Sequence, residues 1–509
     1  GFNTSKVTSM ACLFNGTTAL SNIDALSGWN VSSVQSLAWM FQNDYNLSNV
    51  NALSTWKNTS QLTDMQGMFQ VGDDIQNSKL TDVSGLKNLD TSNVTTMAHL
   101  FSNNNNLSNI SGLENWNTSN VTDTNRMFSQ ISENTSLTDL SSLGTWDLNK
   151  VTDASYMFTG DKGIKDLSPL KNWGMSSLAN AAGMFQDGSS IESLSPLSNW
   201  HTSNLRYMDF MFNGVSKITS LDGLQTWTNL KYLLTLSGIF QNTTSLKDIS
   251  QISNWNTPSL TDMSYAFNGA GITDVNDLST WDSSSVKSLY GTFQDTASLK
   301  DISKLSNWNT SNVTSMGYTF NGSGISSTKD ISNWNTSNVT SMYGMFQNTF
   351  NLSNVDDLDS WKNNLGNLTT TAYMFNNSAI TNVNGLANWK TPSLNDMGYM
   401  FQQAYNLSDI SGLSGWDVSK VVNMPGMLRL TKITNLDALA NWQPDSVTSI
   451  GFMLEGTTDL TNISGLSTWF NKPNNLQNMA GLFNGASAKE SIEPLANWNT
   501  SNVTNMSWT

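Results

Sequence analysis

The chain has 509 residues, 38% of them hydrophobic and only 12% charged, so Ser, Thr, Asn and Gly fill the remainder. Its 24 Lys and Arg stand against 39 Asp and Glu, and the resulting net charge of −15 disfavours nucleic acid and anionic membrane surfaces as partners. Cys12 is the single cysteine and forms no internal disulfide, His99 and His201 leave little for imidazole chemistry, and no run approaches the ~18 apolar residues of a bilayer span.

One pattern governs the sequence from end to end. A Trp, or Phe2 and Leu89 in its place, recurs from Phe2 to Trp498 at a mean spacing of about 27.6 residues, the mark of a repeat architecture. The opening Gly1-Phe2-Asn3-Thr4-Ser5 has no initiator Met and no signal pattern, and so reads as a processed or excised piece. Following each Trp, an Asn-Thr-Ser-Asn-Val-Thr stretch leads into Val, Met, Met and Phe at spacings of three, three and one, as at Val339, Met342, Met345 and Phe346. That spacing predicts a short helix with Ser or Thr as N-cap. Between Phe and the next Trp lies Leu-x-x-Ile-x-x-Leu, as at Leu299, Ile302 and Leu305, which predicts one small strand. A coil of this size cannot bury its apolar side chains alone, so neighbours must stack. The expected fold is an α/β solenoid, a leucine-rich-repeat-like stack of about 18 coils, each a short strand plus a short helix, running over 1–509 as one domain. Longer intervals place their extra residues at 71–78, 129–136 and 470–475, at coil corners.

A finer alternation lies two residues before each Phe. From Tyr156 the site reads Gly183, Phe210, Gly238, Tyr265, Gly291, Tyr318, Gly344 and Tyr373, breaks at Tyr399, and resumes with Gly426, Phe452 and Gly481. Gln186, Gln241, Gln294 and Gln347 follow the Gly coils, and Asn213-Gly214, Asn268-Gly269 and Asn321-Gly322 follow the aromatic ones. The unit of duplication is therefore two coils, with bulky and absent side chains alternating so that adjacent layers avoid collision.

The motif Asn-Thr-Ser-Asn-Val-Thr-x-Met-x-x-Met-Phe, seen with small changes at 309–320 and 335–346, resembles the BspA-like leucine-rich-repeat surface proteins, in the variant common in lactobacilli and mycoplasmas. The resemblance covers essentially the whole chain. It implies an extracellular bacterial protein, cell-surface or secreted, that acts as an adhesin towards host glycoproteins, mucus or other cells and has no catalytic residues.

Catalytic chemistry finds no foothold in the residues. His99 and Cys12 occupy the alternating site, where Cys12 is expected as a small buried side chain, and His201 follows a Trp. The carboxylate pairs Asp73-Asp74 and Asp356-Asp357 have no recurring partner acid. An Asn or Asp repeatedly precedes the Ile, at Asn22, Asn49, Asp82, Asn109, Asp139, Asp166, Asp248, Asp274, Asp301 and Asp409. Stacked oxygens could gather calcium, but a hydrogen-bonded ladder closing the turns is the better expectation, so neither metal nor cofactor is assigned.

Two functions follow. The first is a non-enzymatic scaffold that binds glycans or glycoproteins such as mucin or matrix by many weak contacts, with Tyr156, Phe210, Tyr265, Tyr318, Tyr373, Tyr399 and Phe452 as the ring row on which sugars stack. The second is a stalk or filament subunit. Both termini fall at the same phase of the coil, which would let copies associate end to end.

Overall fold

The computed structural model describes residues 2–73, 78–131, 135–487 and 491–509. It comprises two compact units, Gly1–Leu260 and Thr261–Thr509, built from the same coil. The inserted stretches at 71–78 and 129–136 fall partly outside the described residues, as does Asp74.

The predicted helix is not where the structure places regular backbone, and the predicted strand is reduced to single parallel bridge residues, as from Asn49 to Asp82 to Asn109 and from Asp274 to Asp301. Among the described residues each unit carries nine short 3-10 helices, and these lie on the Leu-x-x-Ile-x-x-Leu section, as at Ser303–Asn307. A spacing of three suits 3.0 residues per turn better than a strand's period of two. The Val-Met-Met-Phe section forms no helix. It makes one parallel bridge residue followed by overlapping turns, with bridges running Ser9 to Ser36 to Asp64 and onward in unit 1, and Asp262 to Ser288 to Ser315 to Ser341 in unit 2.

The hydrogen bonds explain this outcome. In the coil of Met316, the N–H groups of Met316, Tyr318, Phe320 and Gly322 donate to the Ser341, Tyr343, Met345 and Gln347 carbonyls of the next coil at 2.8–3.0 Å. The residues between them, Thr319, Asn321 and Ser323, close turns onto Met316, Tyr318 and Phe320. Alternate donors thus point out of the coil and along the stack, which an α-helix, with every N–H turned back four residues, does not allow. The geometry requires a left-handed residue within each coil, and Tyr318 has φ 55°.

The repeated polar residues lock coil to coil. Asn309 accepts the Ser311 N–H at 3.1 Å, the Thr310 hydroxyl donates to the Asn335 carbonyl at 3.1 Å, and Asn312 Nδ2 donates to the Ser284 carbonyl at 2.7 Å. The Thr314 hydroxyl reaches the Lys287 carbonyl at 3.2 Å. The Asn-Thr-Ser-Asn-Val-Thr motif is therefore a set of inter-coil clasps. The ten Asn and Asp residues before the Ile each accept a backbone N–H two residues on, at 2.7–3.2 Å, closing the turn into the 3-10 helix. These bonds to Ser168, Ser250 and Ser303 hold the carboxyls of Asp166, Asp248 and Asp301 below the usual carboxylate range.

Inside, two aromatic columns form. Phe14 to Phe240 in unit 1 and Phe267 to Phe401 in unit 2 stack with centroids 5.4–6.0 Å apart. The Trp rings that mark the repeat are buried from Trp56 to Trp498, and their indole N–H groups donate to carbonyls of the preceding coil, as Trp334 does to Leu305 at 3.0 Å and Trp146 to Leu113 at 2.9 Å. A buried indole needs such a partner.

Three residues after the Phe column runs an inner polar row. Thr243, Thr296 and Thr349 donate their hydroxyls to the Phe240, Phe293 and Phe346 carbonyls at 2.6 Å. Asp44 stands in this row, 4% exposed, with neither carboxyl oxygen hydrogen-bonded. The Thr17 N–H that eases its charge is already given to Phe14, and burial pushes the carboxyl from 3.8 up to about 7. The folded chain thus holds this proton more tightly than the unfolded chain, so the stability it contributes is complete below pH 3.8 and lost as pH rises through about 7. Asp44→Thr is expected to stabilise unit 1 by about 1–3 kcal/mol at pH 8, the scale of an unsatisfied buried polar group, and to leave it nearly unchanged at pH 4. Urea unfolding at the two pH values checks this, and an equal gain at both would show that ionisation is not the cause.

Candidate functional site

The alternating site lies at the surface of the coil, and its backbone is left-handed throughout. Tyr156, Phe210, Tyr265, Tyr318, Tyr373, Tyr399 and Phe452 have φ between 55° and 59°, and Gly183, Gly238, Gly291, Gly344, Gly426 and Gly481 lie between 57° and 61°. Non-glycine residues seldom adopt this conformation, and here the inter-coil N–H donor at the same residue imposes it, as from Tyr318 to Tyr343 at 2.8 Å. Cys12 shares the conformation, with φ 58°, and is exposed. Its expected burial is corrected, because the left-handed residue carries its side chain to the rim of the coil rather than into the core.

The ring of one coil sits against the glycine of the next. A Cβ on Gly344 would sit 2.6 Å from Tyr318 Cε1, and one on Gly183, Gly291 or Gly481 would meet Tyr156, Tyr265 or Phe452 at 2.3–2.6 Å. The expected avoidance of collision takes this form: the ring needs the space a side chain would fill. Six of the seven rings remain half-exposed, and Phe452 is 37% exposed, so each packs while still meeting solvent.

The structure brings together only part of the predicted row. In unit 2, Tyr265, Tyr318, Tyr373 and Tyr399 join a strip with Tyr290 and Tyr343, which the sequence reading passes over. Successive centroids from Tyr265 through Tyr290, Tyr318, Tyr343 and Tyr373 to Tyr399 are 5.0–5.4 Å apart. Tyr290 and Tyr343 stand one residue before Gly291 and Gly344, where Gly183 is preceded by Ala182 and Gly238 by Ser237. A tyrosine there fills the gap that the glycine leaves in the row. The Tyr-Gly pair one place off the marker was the available signal. Elsewhere Tyr156 lies under Arg126, whose Cζ is 4.7 Å from the ring centroid, while Phe210 covers Gly238 and Phe452 covers Gly481. His99 packs 6.0 Å from Trp39, and burial lowers its pKa.

A row of amides borders the strip. Gln347 Oε1 and the Tyr318 ring both crowd Gly344, and Gln294 Oε1 and Tyr265 do the same at Gly291. Gln347 Nε2 donates to Asn376 Oδ1 at 3.0 Å, Asn348 Nδ2 to Asn321 Oδ1 at 3.2 Å, and Asn377 Nδ2 to Asn348 Oδ1 at 2.8 Å. Burial also raises the phenols of Tyr290, Tyr343 and Tyr373, and pushes Tyr318 up to about 12, with phenol-phenol contacts adding to the effect. Phenols are uncharged at physiological pH, and burial takes these four further from ionisation, so the strip is a polar-edged aromatic track. Among the described residues no group of three or more His, Cys, Asp and Glu is placed to hold a metal, and no helix is long and apolar enough to cross a membrane.

A family model described as "Mycoplasma protein of unknown function, DUF285" matches residues 1–83, 73–160, 130–232, 216–324, 270–385, 369–492 and 461–509. The chain belongs to the DUF285 family. The family match agrees with the mycoplasmal side of the motif resemblance. No curated protein matches the chain. Among solved structures, an internalin from Listeria monocytogenes is similar at 16% identity over 82% of this chain and 84% of that one, with a TM-score of 0.29. A leucine-rich-repeat protein of Leptospira interrogans is similar at 10% identity, covering 97% and 93% of the two chains, with a TM-score of 0.25.

The packing of ring on glycine sets an expectation within this DUF285 repeat. Gly344→Ala combines a left-handed alanine with the clash against Tyr318 and should destabilise unit 2 by about 1–3 kcal/mol. In a Tyr318→Gly background the clash is gone and the cost should shrink. A double-mutant cycle by urea unfolding measures the difference, and equal costs in both backgrounds would remove the ring as the reason for the glycine.

Proposed function

We propose that this chain is a non-enzymatic extracellular scaffold that binds glycans or glycoproteins, with the tyrosine strip of unit 2 as its contact surface. The observation that carries this reading is the run of six half-exposed tyrosines on consecutive coils, Tyr265 to Tyr399, bordered by side-chain amides. A soluble protein ordinarily exposes large apolar groups singly, and a contiguous patch rimmed by polar groups marks a binding surface. Sugars present an apolar CH face to a ring and hydroxyls at their edges, which amides can meet as donor or acceptor. The reading extends the BspA-like resemblance, which implies a cell-surface adhesin. No single contact need be strong, because repetition supplies avidity.

The experiment compares the wild-type chain with a Tyr290→Ala, Tyr318→Gly, Tyr343→Ala variant on a glycan array and on immobilised mucin. Each substitution installs a residue that equivalent coils already carry, Ala182 and Ala372 at one position and Gly183 and Gly238 at the other, so folding should persist. The expected result is binding by the wild type and its loss in the variant, with cooperative unfolding showing that the variant is still folded at the temperature of the assay. Undiminished binding by the folded variant would overturn the strip as the contact surface.

A further inference from the structure

We infer that the strip takes one particular class of glycan: a neutral, extended, β-linked polysaccharide lying along the stacking direction, one sugar to a coil. This rests on the glycan-binding reading above and narrows it. The first support is the step. Coils are paired through parallel backbone bridges, which fixes their separation near the ~4.8 Å of neighbouring strands, and the strip's rings follow at 5.0–5.4 Å. An extended chain of equatorially linked pyranoses advances by a similar length per sugar. A helical, axially linked glucan does not keep that step along a straight track.

The second support is the two-coil period. Tyr265, Tyr318 and Tyr373 spring from the left-handed site, whereas Tyr290 and Tyr343 spring from the residue before it, and the first four rings of the strip meet edge to face at 65–85°. From Tyr265 to Tyr343 face and edge thus alternate with a repeat of two coils, and the last two pairs then close to 41° and 25°. In a flat β-1,4-linked chain each sugar is turned by about half a turn against the last, so its repeat is also two units. Periods that match allow contacts to recur over these four coils, whereas mismatched ones fall out of step within a few sugars.

The third support is charge. Phenols are uncharged at physiological pH and burial moves those of Tyr290, Tyr318, Tyr343 and Tyr373 further from ionisation; the amides Asn321, Gln347, Asn348, Asn376 and Asn377 carry no charge, and the charged groups beside them are carboxylates, Asp295 in the row of Asn348 and Asp396, which accepts the Gly398 N–H at 2.9 Å. The chain as a whole carries −15. Uronate and sulfate chains are repelled, and a neutral polymer is not.

Calorimetric titration of the full chain with the glucose β-1,4 series from cellobiose to cellohexaose and with chitohexaose, and with α-1,4-linked maltohexaose as the bent counterpart, tests this. Affinity should climb with each added sugar up to six, and maltohexaose should bind at least tenfold more weakly. Tyr343→Ala and, separately, Tyr290→Ala should weaken hexasaccharide binding roughly three- to tenfold, the scale of one aromatic contact, with melting temperature unchanged. Affinity that is flat beyond the disaccharide, or equal for maltohexaose, would overturn the one-sugar-per-coil inference while leaving array binding of other glycans, and with it the scaffold reading, intact. Silence across both the oligosaccharides and the glycan array would overturn the two together.

Discussion

The left-handed residue within each coil is the constraint from which the rest of the architecture follows. With φ near 57° at Tyr156, Tyr265 or Gly344, the chain curls into overlapping turns rather than a helix, and alternate N–H groups are released to the coil that follows. Each coil then satisfies its backbone partly within itself and partly through its neighbour. Buried backbone polar groups must be paired, so a coil in isolation would leave a row of donors unmet, and stability resides in the junctions. The Asn, Thr and Asp clasps reinforce the same junctions from the side.

That constraint also creates the surface. A left-handed residue presents its side chain at the rim, where a ring that packs against the next coil commonly takes the space a Cβ there would fill. Ring and glycine therefore alternate over most of the row and leave gaps, while Tyr373 is followed directly by Tyr399 with the two rings stacked 5.0 Å apart. In unit 2 the gaps at Gly291 and Gly344 are closed from the neighbouring position by Tyr290 and Tyr343, so structural packing turns into a continuous track. The same rings stabilise the coil junction with one face and meet solvent with the other.

How much of this was legible in the sequence differs by element. The period, the buried Trp and Phe columns and the turn-closing role of Asn and Asp are all readable, because burial and local side-chain-to-backbone bonding repeat at fixed places. The assignment of a helix failed, and that of a strand held only as single bridges, because a spacing of three is shared by α-helix faces and 3-10 turns, and the deciding factor, where alternate N–H groups go, is a contact 25 residues away, as from Tyr318 to Tyr343. Of the candidate site, Tyr265, Tyr318, Tyr373 and Tyr399 were readable from the marker. Tyr290 and Tyr343 were not, since their role depends on a neighbouring coil's ring lying within 5.4 Å. Tyr156, Phe210 and Phe452 match the same pattern but stand outside the strip.

The electrostatics explain why a track of phenols suits so acidic a chain. An acidic surface keeps such a protein soluble but raises the potential against any anionic partner. Recognition built on carboxylates or lysines would have to work within that field and would weaken or strengthen with salt. Rings and amides carry no net charge at neutral pH, and burial moves the phenols of Tyr290, Tyr318, Tyr343 and Tyr373 still further from ionisation. Their contacts with a neutral ligand depend instead on apolar area and hydrogen-bond geometry, both of which the coil repeat fixes. Under the proposed reading such a surface would gain affinity by length rather than by charge, and the number of consecutive coils that carry a tyrosine, not the strength of any one site, would set what it can hold.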